Sequence, residues 1–275
     1  MTEYAVVLSA RMASTRLPGK TLAVYCPDGV PNLLQIIRRW QTSRRQPRII
    51  VSVNEPRHSD LDDVCRKAGV PAYYRPGPVL DCMVGALAEY APDARFVARA
   101  LADNPLVDVT LADWRLDVLA ESGAEGIWYG DDHSRITYAG ATDVWSRAGW
   151  ERITGESTDD EREHPGLFYW NRLNRFSVVQ IPFPMREYLA PVRTELDTPE
   201  DLEMFRRLWQ TYYDAAGPPP GGVIPTLEAL DLLQAFPEIV AINAGVEVKT
   251  QTRARWRKGY NWLCEKCQTR MGAIV

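Results

Sequence analysis

A short apolar run that feeds straight into a basic loop is the most constraining feature of this chain. Residues 4–8 (YAVVL) suit a buried strand of a parallel sheet, being apolar and partly β-branched. They lead into Ser9-Ala10-Arg11-Met12-Ala13-Ser14-Thr15-Arg16-Leu17-Pro18-Gly19-Lys20, with three cations (Arg11, Arg16, Lys20), three hydroxyls (Ser9, Ser14, Thr15) and a Pro-Gly turn. Loops that leave the carboxyl ends of strands are where open α/β sheets bind ligands. Guanidinium forks and an ammonium gathered there suit a polyanion, a triphosphate above all. A solvated basic turn is the plainer alternative. The loop is neither a GxxxxGK phosphate loop nor a GxGxxG dinucleotide turn.

The rest of the chain alternates. An extended piece is expected over 21–24, then a helix over 33–42 with Arg38 and Arg39 facing outward, and a strand over 48–53. A helix over 60–68, opened by Asp60 and closed before Gly69, precedes a strand over 70–74, a helix over 79–91 and a strand over 96–99. Further helices are expected over 111–122, 146–153 and 167–175, with strands over 126–129 and 136–138 flanking a turn at 130–133, and another from 178. This order argues for an α/β protein whose central sheet is mostly parallel, with right-handed crossovers.

At 275 residues the chain can hold one large domain with appendages or two small ones. The stretch 217–222 (GPPPGG) reads as a hinge-like linker between a catalytic domain, 1–216, and an extension, 217–275, that opens with a capped helix over 226–235. A net charge of −4 gives no global pull toward nucleic acid or membrane, and no run approaches a membrane span. Residues 1–4 lack the basic start of a signal peptide, and five cysteines without scaffold spacing fit reduced thiols in a cytoplasmic protein. Cys264-Glu265-Lys266-Cys267 is half of a zinc site at best. The basic, aromatic stretch 251–275 could grip single-stranded nucleic acid, but packing on the domain or on a second subunit is the commoner use.

Two carboxylates sit where chemistry would use them. Asp103, just after the strand over 96–99, could offer an oxygen to Mg2+; capping the turn before Pro105 is its structural alternative. In RTELDTPEDL (193–202), Thr198, Pro199, Glu200 and Asp201 meet the needs of a helix start. Asp197, expected at a strand end, is left over from that accounting and is assigned to metal. In the charged loop Glu161-Arg162-Glu163-His164, Arg162 suits an anion and His164 is of the residue type that serves as acid or base, while a solvated charge run remains open.

Residues 10–20 resemble the signature ARxxSTRLPGK of the cytidylyltransferases that make CMP-activated sugar acids, the CMP-Kdo and acylneuraminate enzymes, together with the spore-coat polysaccharide protein F group. Arg11, Ser14, Thr15, Arg16, Leu17, Pro18, Gly19 and Lys20 all match. Residues 99–108 are similar to R-x-T-G-D-x-P-L-[IV]-D, with Leu101-Ala102 in place of Thr-Gly, a change that adds a methyl where backbone may approach ligand. Residues 161–164 match E-R-E-H, 139–147 resemble G-L-D-V-E-V-F-S-R with Asp143 at or near an acidic position, and 196–202 are close to the family string. Cys82 takes the Arg position of a family VLDR.

The resemblance implies a Rossmann-like nucleotide-diphosphosugar-transferase fold with a helical C-terminal extension, a homodimer, and Mg2+-dependent cytidylyl transfer. CTP would be the donor, a sugar acid, sugar phosphate or phosphonate the acceptor, and pyrophosphate the leaving group. It implies nucleotide binding by Ala10, Arg11, Ser14, Thr15, Lys20 and Arg99, and catalysis by Lys20, Arg11, Arg16 and Asp103. Acceptor binding falls to Asp143, Arg162 and His164, and metal binding to Asp103 and Asp197. The alternatives are a glycosyltransferase of the same fold class, although Asp103-Asn104-Pro105 is not a DxD motif, and a nucleotide-binding subunit without turnover.

Overall fold

The computed structural model describes residues 3–128, 139, 142–181 and 192–246. Strand β1 (Tyr4–Ala10) is buried at every position but Ser9, as its apolar run demands. It lies inside a seven-stranded sheet of order β3-β2-β1-β4-β6-β5-β7. The partners are β2 (Arg48–Val53), β3 (Ala72–Tyr74), β4 (Phe96–Leu101), β5 (Gly126–Trp128), β6 (Asp143–Ser146) and β7 (Val178–Gln180). Among the described strands only β6 is reversed, antiparallel to both β4 and β5. All other pairings are parallel, so β1, β2 and β4 release their following loops at one end of the sheet.

Helices α1 (Asn32–Gln41), α2 (Ser59–Ala68), α3 (Val79–Tyr90) and α4 (Val109–Ser122) alternate with the first strands. α5 (Arg147–Glu156), α6 (Asp159–Arg162) and α7 (Leu167–Asn171) follow β6, and α8 (Pro199–Ala216), α9 (Thr226–Ala235) and α10 (Pro237–Ala241) end the described chain. Gly69 terminates α2 in the left-handed region, as a residue without Cβ can. The sheet and its helices share one apolar core. A second core joins α8, α9 and α10 through Met204, Phe205, Leu208, Leu230, Leu233 and Ile239.

Several local expectations need correction. Residues 20–22 form a 3-10 turn, not an extended piece; only Val24 bridges Pro31. Arg39 faces inward, because α9 covers that side of α1: its Nε donates to the Pro105 carbonyl at 2.7 Å and an Nη to the Thr226 hydroxyl at 3.2 Å. Burial pushes its pKa down to about 10. α2 begins at Ser59, one residue before Asp60, which therefore does not cap it. Thr226 likewise does not cap α9; it is the first residue of the helix, and its hydroxyl donates to the Leu106 carbonyl. The expected helix over 167–175 breaks at Arg172 and resumes as a 3-10 turn. Asp197 follows an irregular segment and not a strand. Cys26, Cys65 and Cys82 are buried free thiols. The expected strand at 136–138, the turn at 130–133 and the stretch 251–275 with Cys264 and Cys267 lie outside the described residues. Among the described residues, no helix is long and apolar enough to cross a membrane.

Candidate active site

The loop that leaves β1 folds back on itself. Its Met12 carbonyl accepts from the amides of Ser14 (2.9 Å) and Gly19 (3.0 Å), and the Thr21 hydroxyl donates to the Arg11 carbonyl. Gly19 has φ +72°, a left-handed turn that a side chain would strain, and it delivers Lys20 into the 3-10 turn behind it. Glu55, in the loop after β2, accepts from the amides of Met12 (2.7 Å) and Ala13 (3.0 Å) and so pins the outer limb. Asn32 pins the inner limb, its Nδ2 donating to the carbonyls of Ala102 (2.6 Å) and Lys20 (3.3 Å). Nothing in the basic sequence pattern signals either residue.

Lys20 is buried, and its ammonium meets two carboxylates: Asp103 Oδ2 at 3.0 Å and Asp197 Oδ1 at 2.9 Å. Arg16 pairs with the other oxygen of Asp197. Asp103 lies in the turn after β4, and its carbonyl accepts from the Leu196 amide at 2.9 Å. That one backbone bond sets the segment before α8 alongside the turn, which is how two aspartates distant in sequence reach one ammonium. Asp201 holds the same segment: with Thr198 it forms the expected capping box, and it also accepts from the amide of Asp197 and from Arg193. Glu195 pairs with Arg193 at 2.9 Å; burial and then the nearby Asp103 charge push its carboxyl up, against Arg193, Lys20 and Arg16.

Other expected residues of the loop are placed as follows. Ala10 is buried at the end of β1, Ser14 is buried with its Oγ accepting from the Leu17 amide, and Thr15 is exposed. Arg11 is exposed and its guanidinium has no partner among the described residues. Ala102, where the family string has Gly, sits in ordinary backbone geometry; Gln46 is the only non-glycine residue with positive φ among the described residues.

A second ion pair stands on β4 itself, four positions before Asp103. Arg99 faces Asp143 across the β4–β6 register, Nη1 to Oδ2 at 3.0 Å, and the Trp170 indole N–H donates to the other oxygen at 3.2 Å. Gly166 (φ +106°) closes over the pair; a Cβ there would stand 3.2 Å from Asp143 Oδ2. Arg162 does not join this centre. Its guanidinium pairs with Asp81 of α3 and donates to the Thr154 carbonyl. His164 is exposed, its amide donating to the Glu161 carbonyl.

The Asp103 and Asp197 carboxylates are hard oxygen donors brought to one cationic point, the donor class that Mg2+ takes. Among the described residues, no group of three or more side chains could hold a metal by itself.

A cation-bearing loop leaving an inner strand of an open α/β sheet, with two carboxylates beside it, is a setting for phosphate chemistry. Residues 5–218 match the family model described as Cytidylyltransferase. The chain is 25% identical over 256 residues to the 3-deoxy-manno-octulosonate cytidylyltransferase of Neisseria meningitidis serogroup C (strain 053442), covering 86% of this chain and 98% of that one. It is 27% identical over 222 residues to the spore coat polysaccharide biosynthesis protein SpsF of Bacillus subtilis (strain 168), covering 76% and 88%. In fold it is similar to a cytidylyltransferase from Leptospira borgpetersenii, with a TM-score of 0.75 over 90% of this chain and 99% of that one at 18% identity. The chain belongs to the cytidylyltransferase family and is a nucleotidyltransferase.

Proposed function

We propose that the protein transfers the cytidylyl group of CTP to an oxygen of a small anionic acceptor, a sugar acid, sugar phosphate or phosphonate, and releases pyrophosphate. The observation that supports this reading is the meeting of Lys20 and Arg16 with Asp103 and Asp197 beside a loop whose Arg11 is exposed and unpaired among the described residues. In the reaction an acceptor oxygen attacks the α-phosphorus in line; the new P–O bond forms as the bond to the β-phosphate bridging oxygen breaks, and an acceptor that attacks through a hydroxyl gives up its proton to solvent. Arg11 reaches the phosphates from the open side. Lys20 and Arg16, which this structure holds against Asp103 and Asp197, offset charge on the departing pyrophosphate. Asp103 and Asp197 would hold Mg2+, which when bound neutralises phosphate charge and lowers the pKa of the attacking hydroxyl. Arg99 and Asp143 are assigned to orienting the substrates, with Arg162 and His164 at the outer edge on the acceptor side. The reading includes a cytoplasmic homodimer.

The test is pyrophosphate release from CTP, ATP, GTP and UTP against a panel of sugar acids, sugar phosphates and phosphonates. Acceptor-dependent release with CTP, lost in Asp103→Ala, is the expected result. No release with any pair, together with no calorimetric binding of CTP, would overturn it.

A further inference from the structure

The segment that carries Asp197 is clasped by a residue from beyond the family-matched region. The fully buried Asp201 carboxylate receives Arg193 Nε at 2.7 Å and Nη2 at 2.8 Å, and the amides of Asp197 and Thr198 at 2.9 Å each. These donors come from within nine residues of the chain. One more comes from far away: Asn243 Nδ2, just past α10, donates to Asp201 Oδ1 at 2.9 Å and to the Arg193 carbonyl at 3.1 Å. Both partners are acceptors, so the amide can present only its NH2 group to them. Asn243 therefore ties the start of the segment, Arg193, to its end, Asp201, with Asp197 between them.

Asn243 is 1% exposed and follows the buried Ile239 in a region otherwise packed by apolar side chains. Packing alone would be served by an apolar residue there, since a buried amide is unfavourable unless it is bonded. The cap of α8 does not need it either, because Thr198 and Asp201 satisfy one another. What Asn243 adds is the tie across the loop whose Asp197 meets Lys20 and Arg16.

We propose that Asn243 is a positioning residue for nucleotidyl transfer, the one residue, among those described, through which the segment after residue 218 bears on the active centre. It acts through Asp201 and Arg193, holding Asp197 against Lys20 and Arg16. The proposal rests on the role given to Asp197 in the transfer reaction.

The experiment uses the full chain and three variants. Asn243→Ala removes the tie; Asn243→Asp keeps the shape and loses the donor; Leu230→Ala opens the core of the extension, where Leu230 is 1% exposed, without touching the tie. Thermal denaturation, CTP-dependent pyrophosphate release and amide hydrogen exchange across 193–201 are measured for each. Both Asn243 variants are expected to lose about tenfold or more in kcat, with KM for CTP changed by less than about twofold, because misplacing one catalytic group is felt in the transition state. Exchange at the Asp197 and Thr198 amides should accelerate about tenfold at 25 °C. Leu230→Ala should lower Tm at least as much and leave kcat within about twofold. Unchanged kcat and exchange in both Asn243 variants would overturn the proposal, as would an equal kcat loss in Leu230→Ala. If the wild-type chain releases no pyrophosphate at all, the reading of the reaction fails instead, and unchanged exchange then overturns the tie while accelerated exchange upholds it.

Discussion

Two ion-pair centres flank the carboxyl half of β4, Arg99 within the strand and Asp103 in the turn after it, and they are built in opposite ways. Arg99 and Asp143 meet because β4 and β6 are hydrogen-bonded in that register; Trp170 and Gly166 close around a pair that the sheet has already placed. Lys20, Asp103 and Asp197 contain no strand residue. Each lies in a turn or loop held by bonds from elsewhere: Asn32 to the Lys20 and Ala102 carbonyls, Leu196 to Asp103, and Asp201 with Asn243 around Asp197. A register-built pair responds mainly to changes in itself. A loop-built cluster responds to remote residues as well.

The largest effect that would test this contrast is expected from Lys20→Ala. It takes the ammonium away from Asp103 and leaves Asp197 paired with Arg16. Steady-state kinetics should show kcat/KM for CTP down about 10³-fold, and urea denaturation a stability loss of about 3 kcal/mol, the size expected when one partner of a buried ion pair is removed. Retention of near-normal activity would mean that the cluster is structural only.

Next comes Asp143→Ala. Without its carboxylate, Arg99 and Trp170 lose a shared partner. The acceptor KM should rise about tenfold and KM for CTP, through the loosened Arg99, by about threefold. Equal rises in both would erase the division of labour between the centres.

Glu55→Ala should be milder. It frees the Met12 and Ala13 amides without touching a cation, so KM for CTP should rise about threefold with kcat little changed, as expected for a lost loop anchor. A fall in KM would show instead that the carboxylate competes with the triphosphate for those amides.

The smallest effect is expected at Glu161, an ion pair in neither centre. Burial raises its pKa, but the Thr158 amide and Arg172 more than offset that and hold the carboxyl below its ordinary range. A carboxyl with a depressed folded-state pKa stabilises above its unfolded value and loses that contribution as pH falls. Glu161→Gln should therefore lower stability by about 1 kcal/mol at pH 7, and the gap to wild type should close as the pH drops below about 4.5. Activity per folded molecule should not change.

Much of this architecture is legible in the amino-acid sequence. The strand over 4–8, the loop behind it and the capping box at Thr198 rest on apolar runs, Pro-Gly turns and capping preferences, all of which act over a few residues. Elimination singles out Asp197, because every neighbour has a reason to be there that Asp197 lacks; the structure pairs it with Lys20 and Arg16. Arg39 shows the limit of that method. Helical spacing sets it beside Arg38 on an outer face, and only the docking of α9 turns it into a buried donor to Pro105 and Thr226.

Short-range pattern is enough to specify an α/β protein with a cation-bearing loop after its first strand and carboxylates at Asp103 and Asp197. It does not specify that both carboxylates converge on Lys20, that Arg162 is taken by Asp81, that Arg99 faces Asp143, or that Asn243 reaches back to Asp201; those pairings come from the tertiary fold. The reason is physical. Lys20 finds its partners 83 and 177 positions away, and which charge neutralises which is settled by burial and backbone docking, which no local propensity encodes.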